Sequence, residues 1–359
     1  MTEPASPIAA LPVETVIVGY GLAGRAFHAP LILRQPGLKL RGVVARDPKI
    51  RDEAVSTLGV KGYASLADAL DDPAVRLVVI ATPHDSHAEL AIQALDAGRD
   101  CVVDKVMALS TEEADRMIGA RDRSRRMLSV FQNRRWDWDF LTVKHVLDSG
   151  LIGKPLLLES SVCRYASPRS WRGKAVAAGT ILHDWGAHLI DQALRLGLGP
   201  CRRVSAWLTP APWEGVETLG HGRIVLEFED AIFQVETSRI CRMDRPRWWI
   251  VGTEGGLAKY GVDPQEEALR AGDLLSAKEP AGHKTLLRRA DASGKVIESE
   301  VETIRGSWDE YYANIASHLA GEAALAVTAE QAREVVRILD AAAVSSRDHT
   351  MVEGSWEGV

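Results

Sequence analysis

The run Val16-Ile-Val-Gly19-Tyr-Gly21-Leu22-Ala23-Gly24 constrains this chain more than any other stretch. An apolar strand enters a Gly-x-Gly-x-x-Gly turn, and a helical pattern resumes at Ala26-Phe27. The first glycine permits a tight turn, and the second lets backbone N–H groups approach a pyrophosphate. The third lets helix and strand pack closely, with the helix N-terminus favouring negative charge. Three spaced glycines alone are a weak signal; the strand before them and the helix after them supply the context. The expectation is a dinucleotide cofactor held by Gly19, Gly21, Leu22, Ala23 and Gly24.

A length of 359 residues suits two domains. Up to about residue 131, apolar runs at Thr15–Val18, Lys39–Val44, Leu77–Ala81, Cys101–Val103 and Met127–Phe131 alternate with helical patterns. The helical patterns lie at Leu22–Arg34, Lys49–Leu58, Ser86–Ala97 and Thr111–Arg123, and a short strand is expected near Gly62-Tyr63. This alternation predicts a doubly wound parallel sheet, a Rossmann domain over residues 1–131. Asp47-Pro48 reads as an N-cap with a first-turn proline, and Ser110 with Glu113 as a capping box.

After residue 131 the texture changes. Helices are expected at Trp138–Ser149, Leu182–Leu196, Ser307–Ala320 and Ala329–Ser346. Strand-like runs fall at Leu156–Tyr165, Val204–Leu208, Gly222–Phe228, Ala231–Ser238 and Trp248–Val251, with Glu229-Asp230 as a hairpin turn. Residues 270–305 are charged and weakly patterned and receive no assignment. The expectation for 132–359 is an α+β domain with a largely antiparallel sheet, serving substrate binding and oligomerisation, its last helices packing back on the first domain.

A formal charge of −6 argues against a nucleic-acid partner. The four arginines between Arg121 and Arg126 fall at a helix end, where cations suit the dipole. Four cysteines without C-x-x-C spacing read as reduced thiols of a cytoplasmic protein. Met1 to Pro7 shows no targeting pattern, and no apolar run approaches a membrane span.

The second strand ends Val44-Ala45-Arg46-Asp47. A carboxylate there bonds the ribose 2′-hydroxyl of NAD, whereas an arginine accommodates the 2′-phosphate of NADP. Ala45 is uncharged, Arg46 is adjacent, and Asp47 before proline reads as a cap, so NADP is favoured over NAD; the bland reading makes Arg46 a solvated turn residue. Thr82, Pro83, His84 and His87 follow the strand ending at Ala81, at the edge where open sheets bind ligands. No acid or cysteine at zinc spacing supports a metal there, so capping or cofactor contact is expected of His87. Asp104 and Lys105 leave the next strand, and Lys105 is placed to donate to a substrate oxygen, or else serves solubility at a strand end.

Together with the glycine turn, Phe27-His28-Ala-Pro30, Asp104-Lys105, Gln132-Asn133-Arg134-Arg135-Trp136-Asp137 and His183-Asp184-Trp-Gly-Ala-His188-Leu-Ile-Asp191-Gln192 closely resemble the Gfo/Idh/MocA oxidoreductase family. The resemblance runs from about Thr15 to about Ser346 and is nearest to the NADP-dependent scyllo-inositol dehydrogenases, in which Arg164-Tyr165 and Lys259-Tyr-Gly261 also have counterparts. It implies a C-terminal domain with a large open sheet, hydride transfer between NAD(P) and an inositol or sugar, and homodimers or homotetramers formed through that sheet. It also implies a catalytic set of Lys105, Asp184 and His188. Residues four apart share a helix face, so Asp184, His188 and Asp191 are expected to align.

Histidine suits general-base work because its unperturbed pKa of roughly 6.5 lies near operating pH. His188 is expected to take the hydroxyl proton, Asp184 to orient substrate or imidazole, and Lys105 to stabilise the developing alkoxide. Arg135, Arg164, Tyr165, Trp171 and Arg172 are the expected substrate contacts, with Asp137 a further candidate and Trp136 and Trp138 offering flat faces to sugar carbons. The family's Glu-Lys-Pro reads Asp104-Lys105-Val106 here, and loss of the proline removes a restraint on the lysine. That departure motivates one alternative, a non-catalytic NADP-binding sensor. Another is an enzyme whose tightly held NADP is reduced by one substrate and reoxidised by a second.

Overall fold

Six strands, β1 (Val13–Val18), β2 (Leu38–Val44), β3 (Lys61–Tyr63), β4 (Leu77–Ile80), β5 (Asp100–Val103) and β6 (Leu128–Val130), form an all-parallel sheet in the order β3-β2-β1-β4-β5-β6. The computed structural model describes residues 9–358, so the N-terminal stretch read above for a targeting signal lies outside it. Strands covered on both faces need continuous apolar runs, and Leu77–Ile80 and Cys101–Val103 are wholly buried. The strand order reverses between β1 and β4, which opens the ligand-binding crevice of such sheets at their carboxyl ends.

Local chemistry fixes the helices. The Asp47 carboxylate accepts the Lys49 N–H at 2.9 Å and caps the helix Pro48–Leu58. Ser110 Oγ accepts the Glu113 N–H, but the Glu113 carboxylate reaches one residue further back, to the N–H of Leu109, so the expected capping box is only half formed. A complete box stands at Ser65 and Asp68, opening the helix Leu66–Leu70 that the sequence did not reveal.

These strands belong to a compact unit reaching Asn133 and including Gln265–Ala277 and Trp308–Arg333. The last of these segments supplies aromatic residues to its core. Trp308, Tyr311 and Tyr312 are buried, the Tyr311 ring packs edge-on to Phe131 at 4.9 Å, and Ser129 Oγ lies 2.9 Å from the Tyr311 hydroxyl.

The second unit comprises Arg134–Pro264, Lys278–Ser307 and the chain from Glu334. Its sheet holds β7 (Pro155–Cys163), β8 (Cys201–Pro210), β9 (Leu219–Glu227), β10 (Ile232–Ser238), β11 (Trp248–Gly252), β12 (Gly255–Lys259), β13 (Thr285–Ala290), β14 (Val296–Val301) and β15 (Val352–Trp356). Their order is β14-β13-β12-β11-β7-β10-β9-β8-β15, and every neighbouring pair is antiparallel except β7 and β10. The Glu229-Asp230 turn closes the β9–β10 hairpin, with the Phe228 N–H donating to the Ala231 carbonyl. One face of the sheet buries Leu158, Phe233, Val235, Ile224, Leu226 and Ile250; the other leaves Leu157, Trp207, Ile232 and Trp249 exposed. Residues 270–305, unassigned in the sequence, contain the β13–β14 hairpin. Among the described residues no helix is long and apolar enough to cross a membrane.

Candidate functional site

In the first unit the glycine turn is closed on two sides and open on the third. Gly19 takes φ +94°, and a Cβ built on it would lie 2.7 Å from the Ala81 carbonyl oxygen. A Cβ on Gly24 would stand 2.2 Å from the Gly19 carbonyl oxygen, whereas one on Gly21 would meet nothing within 4 Å. Only the middle glycine faces open space, which is what close backbone approach to a pyrophosphate requires. The residues present therefore fit a dinucleotide. Exposed Leu22 and half-buried Ala23 continue the turn into a π-helical turn, Gly24–His28, a feature often found at functional positions.

At the end of β2, Ala45 is buried and Arg46 is exposed. A second guanidinium, unforeseen in the sequence, belongs to Arg51, whose Nη1 donates to the Ala45 carbonyl at 2.9 Å. Asp47 is occupied as the helix cap described above. At the end of β4, Thr82 Oγ1 accepts from Ser86 Oγ at 2.7 Å, and Pro83 is half-buried. The His87 imidazole is fully buried, with Nδ1 2.8 Å from the Val106 carbonyl and Nε2 3.0 Å from the Thr82 carbonyl. A neutral ring has one N–H, so it bonds one of these carbonyls at a time, and burial lowers its pKa against the opposing pull of Asp104. When the bond is to the Val106 carbonyl, His87 links the β4 exit, which carries it, to the β5 exit.

The Asp104 carboxylate accepts the Lys105 backbone N–H at 2.8 Å and lies 3.8 Å from His28 Nε2. His28 Nδ1 is 2.7 Å from the Tyr312 hydroxyl. Burial pushes the Tyr312 hydroxyl well above its ordinary pKa, so it stays protonated in its hydrogen bond with Nδ1. Burial raises the Asp104 pKa, but His28 and the Lys105 ammonium outweigh it and bring the carboxyl down to about 2. Lys105 is half-buried, and its peptide bond to Val106 is cis.

In the second unit a π-helical turn, Leu182–Gly186, leads into the helix Ala187–Leu194. His188 is buried, its ring edge-on to Trp185 at 5.9 Å. Asp184 Oδ2 accepts from Arg239 Nη2 at 2.7 Å. A regular helix would align Asp184, His188 and Asp191. Here the helix is π-wound around Asp184, and buried Asp191 takes both arms of Arg135, at 2.8 and 2.6 Å. Beside that pair the Gln192 amide donates to the Arg134 carbonyl and accepts from Arg247 Nη2 at 2.7 Å. Fully buried Arg247 also meets Ser160 Oγ and lies 3.0 Å from Asp139, which accepts the Trp248 indole N–H. The helix carrying His188 is thus cross-braced by charge-assisted hydrogen bonds.

The β7 and β10 exits run side by side. The Arg164 N–H donates to the Ser238 carbonyl, and the Ala166 N–H to the Arg239 carbonyl, each at 2.9 Å. Arg164 is exposed. Tyr165 is half-exposed, with the Arg242 guanidinium 3.5 Å from its ring centre and Trp213 edge-on at 5.6 Å. Arg172 stacks over Trp171 at 4.4 Å on the short turn Ser170–Gly173. Arg239 escaped notice in the sequence; the available signal was an arginine directly after the last residue of a buried strand. Trp138 is buried with its indole N–H on the Gly306 carbonyl, so it packs the core instead of offering a face to sugar. Asp137 is likewise buried, paired with Arg134 at 3.1 Å, while Trp136 is half-buried. All four cysteines are free thiols.

Residues 13–132 match the model of an oxidoreductase family with an NAD-binding Rossmann fold, GFO_IDH_MocA, and residues 140–258 match the GFO/IDH/MocA C-terminal domain. The chain is 33% identical over 346 residues, 94% of each protein, to the scyllo-inositol 2-dehydrogenase (NADP(+)) IolW of Bacillus subtilis. It is 32% identical to an uncharacterized oxidoreductase of Escherichia coli, YdgJ, over 91% of this chain and 94% of the relative. The solved structure of yvaA from Bacillus subtilis superposes with a TM-score of 0.88 at 29% identity, covering 99% of this chain and 100% of that one. With a glycine turn open at its middle position, a parallel sheet followed by a large, mostly antiparallel one, and relatives matched over nearly their whole length, this chain belongs to the Gfo/Idh/MocA family of oxidoreductases.

Proposed function

We propose that this protein is an NADP-dependent dehydrogenase acting on a secondary alcohol of a polyol, an inositol or a sugar. The observation that carries the reading is the glycine turn, closed at Gly19 and Gly24 and open at Gly21. The Bacillus relative, a scyllo-inositol 2-dehydrogenase (NADP(+)), supports both NADP and a polyol. When bound, the nicotinamide supplies the acceptor or donor for hydride.

The chain's own residues supply the rest. Gly19, Gly21, Leu22, Ala23 and Gly24 hold the pyrophosphate, and Arg46, with Arg51 beside it, balances the 2′-phosphate. Thr82, Pro83, His87 and Asp104 shape the carboxyl edge of the sheet. His188 takes the hydroxyl proton in oxidation and returns it in reduction. Lys105 stabilises the alkoxide, and Asp184, held by Arg239, orients the substrate. Arg164, Tyr165, Trp171 and Arg172 bind the remaining hydroxyls. Arg135 acts through Asp191 as a support of the His188 helix, and the exposed face of the nine-stranded sheet serves self-association.

The test is a steady-state screen of inositols and aldoses with NADP and with NAD. Turnover of at least one polyol with preference for NADP is expected, and Arg46→Ala should raise the NADP KM roughly tenfold while leaving that of NAD unchanged. NADP binding without turnover of any polyol would overturn the reading in favour of a sensor. An unchanged pH–rate profile in His188→Ala would remove that residue from the base role.

A further inference from the structure

We infer that the substrate of this enzyme carries an anionic group, a carboxylate or a phosphate, seated among the arginines that flank Asp184. The inference rests on the proposed polyol reading of this site and narrows its substrate class. Residues 164–174 after β7, 239–244 after β10 and the π-helical turn hold five arginines, Arg164, Arg169, Arg172, Arg239 and Arg242, against two carboxylates, Asp184 and Asp244; Arg245 and Arg247, farther along, are paired with Glu159 and Glu236 and with Asp139. Lys174, in the segment after β7, is matched by Glu217 at 2.9 Å and is left out of that balance.

The placement is built into the sheet. Because β7 and β10 are parallel, both leave at the same edge, and hydrogen bonds between Arg164–Ala166 and Ser238–Cys241 hold the two arginine-bearing exits together. Arg239 is buried beside Asp184, and burial holds its guanidinium below the usual range; Asp184 opposes that shift, while the nearby charges of Arg164 and Arg172 add to it. Two further guanidinium groups sit over aromatic rings, Arg172 over Trp171 and Arg242 over Tyr165, and such a contact with the ring face uses none of their N–H donors. A neutral polyol asks for hydroxyl partners of both kinds, whereas clustered planar cations match the oxygen fork of a carboxylate or phosphate. One carboxylate, Asp184, leaves the guanidinium groups of Arg164, Arg172 and Arg239 two charges in excess, which a ligand carboxylate halves and a phosphate nearly balances.

The test compares three ligands of one ring size with saturating NADP or NADPH: glucose, glucuronate and glucose 6-phosphate. Each is measured by kcat/KM and, independently of turnover, by the thermal shift of the NADP-loaded protein. The expected result is a kcat/KM for one of the two anions at least tenfold above that of glucose, falling as salt rises. Glucuronate ahead of glucose 6-phosphate identifies a carboxylate, and the reverse a phosphate. Arg164→Ala and Arg172→Ala should raise the KM of the favoured anion roughly tenfold and that of glucose, whose hydroxyls they also bind, only about twofold. Glucose turned over as well as either anion, or both variants affecting neutral and charged ligands alike, overturns the anionic substrate and leaves the dehydrogenase standing. A thermal shift confined to the anions, without turnover of anything, keeps the anion site and overturns the proposed reaction. The absence of both turnover and thermal shift with either anion overturns the anion site.

Discussion

At the scale of single residues, the glycine turn separates two roles that substitution can pull apart. A methyl group on Gly21 meets open space, so Gly21→Ala should leave the melting temperature near that of the parent while the Kd for NADP rises roughly tenfold, measured by fluorescence titration. A methyl on Gly24 collides with the backbone at Gly19, so Gly24→Ala should cost about 2 kcal/mol or more of stability in urea unfolding. Asp104 makes a prediction about acid. Its carboxyl titrates near 2 in the folded chain, below the ordinary 3.8, so it adds stability that is complete above about pH 4 and is lost as pH falls toward 2. Asp104→Asn lacks that titration, and its urea midpoint should fall less steeply between pH 5 and 3 than the parent's.

Among elements, the helix Ala187–Leu194 shows how a proposed catalytic group is aimed. Arg247 is buried with Asp139, Ser160 and Gln192 about it, and cutting one member of such a cluster strands the others. Arg247→Met should therefore cost about 3–5 kcal/mol in chemical unfolding, and Arg247→Lys less. This brace was not legible in the sequence, where Arg247 stands among Arg242, Arg245 and two tryptophans without any period to mark it. The parallel sheet was legible, because strands buried on both faces must be apolar throughout, and because Asp47-Pro48 and Ser110 announce the helices between them. β14 was not: every residue of Val296–Glu300 is exposed, so it carries no buried alternation to read. β12 was hidden by Gly255-Gly256, and the π-helical turns leave no trace in a 3.6-residue periodicity. Lys105, Asp184 and His188 could be singled out by resemblance, whereas Arg239 declares itself only through its pair with Asp184.

For the whole molecule, the exposed face of the nine-stranded sheet is the place to test self-association. It presents Trp207, Trp249, Leu157 and Ile232 with Arg203, Arg223 and Glu159 among them, the mixture of aromatic anchors and charges found where proteins meet. If copies pair there, Trp207→Glu should shift sedimentation velocity toward the monomer without lowering the melting temperature of the isolated chain. The parallel pairing of β7 with β10 also bears on how the chain is made. An antiparallel neighbour can fold back through a short turn, but a parallel one must wait for a long crossover. β7, with Leu156, Leu157 and Leu158 in succession, leaves the ribosome well before either β10 or β11 exists to flank it. During synthesis it is an apolar strand with two bare edges, and nascent chains that stall before Ser238 will present it for aggregation or for chaperones to cover.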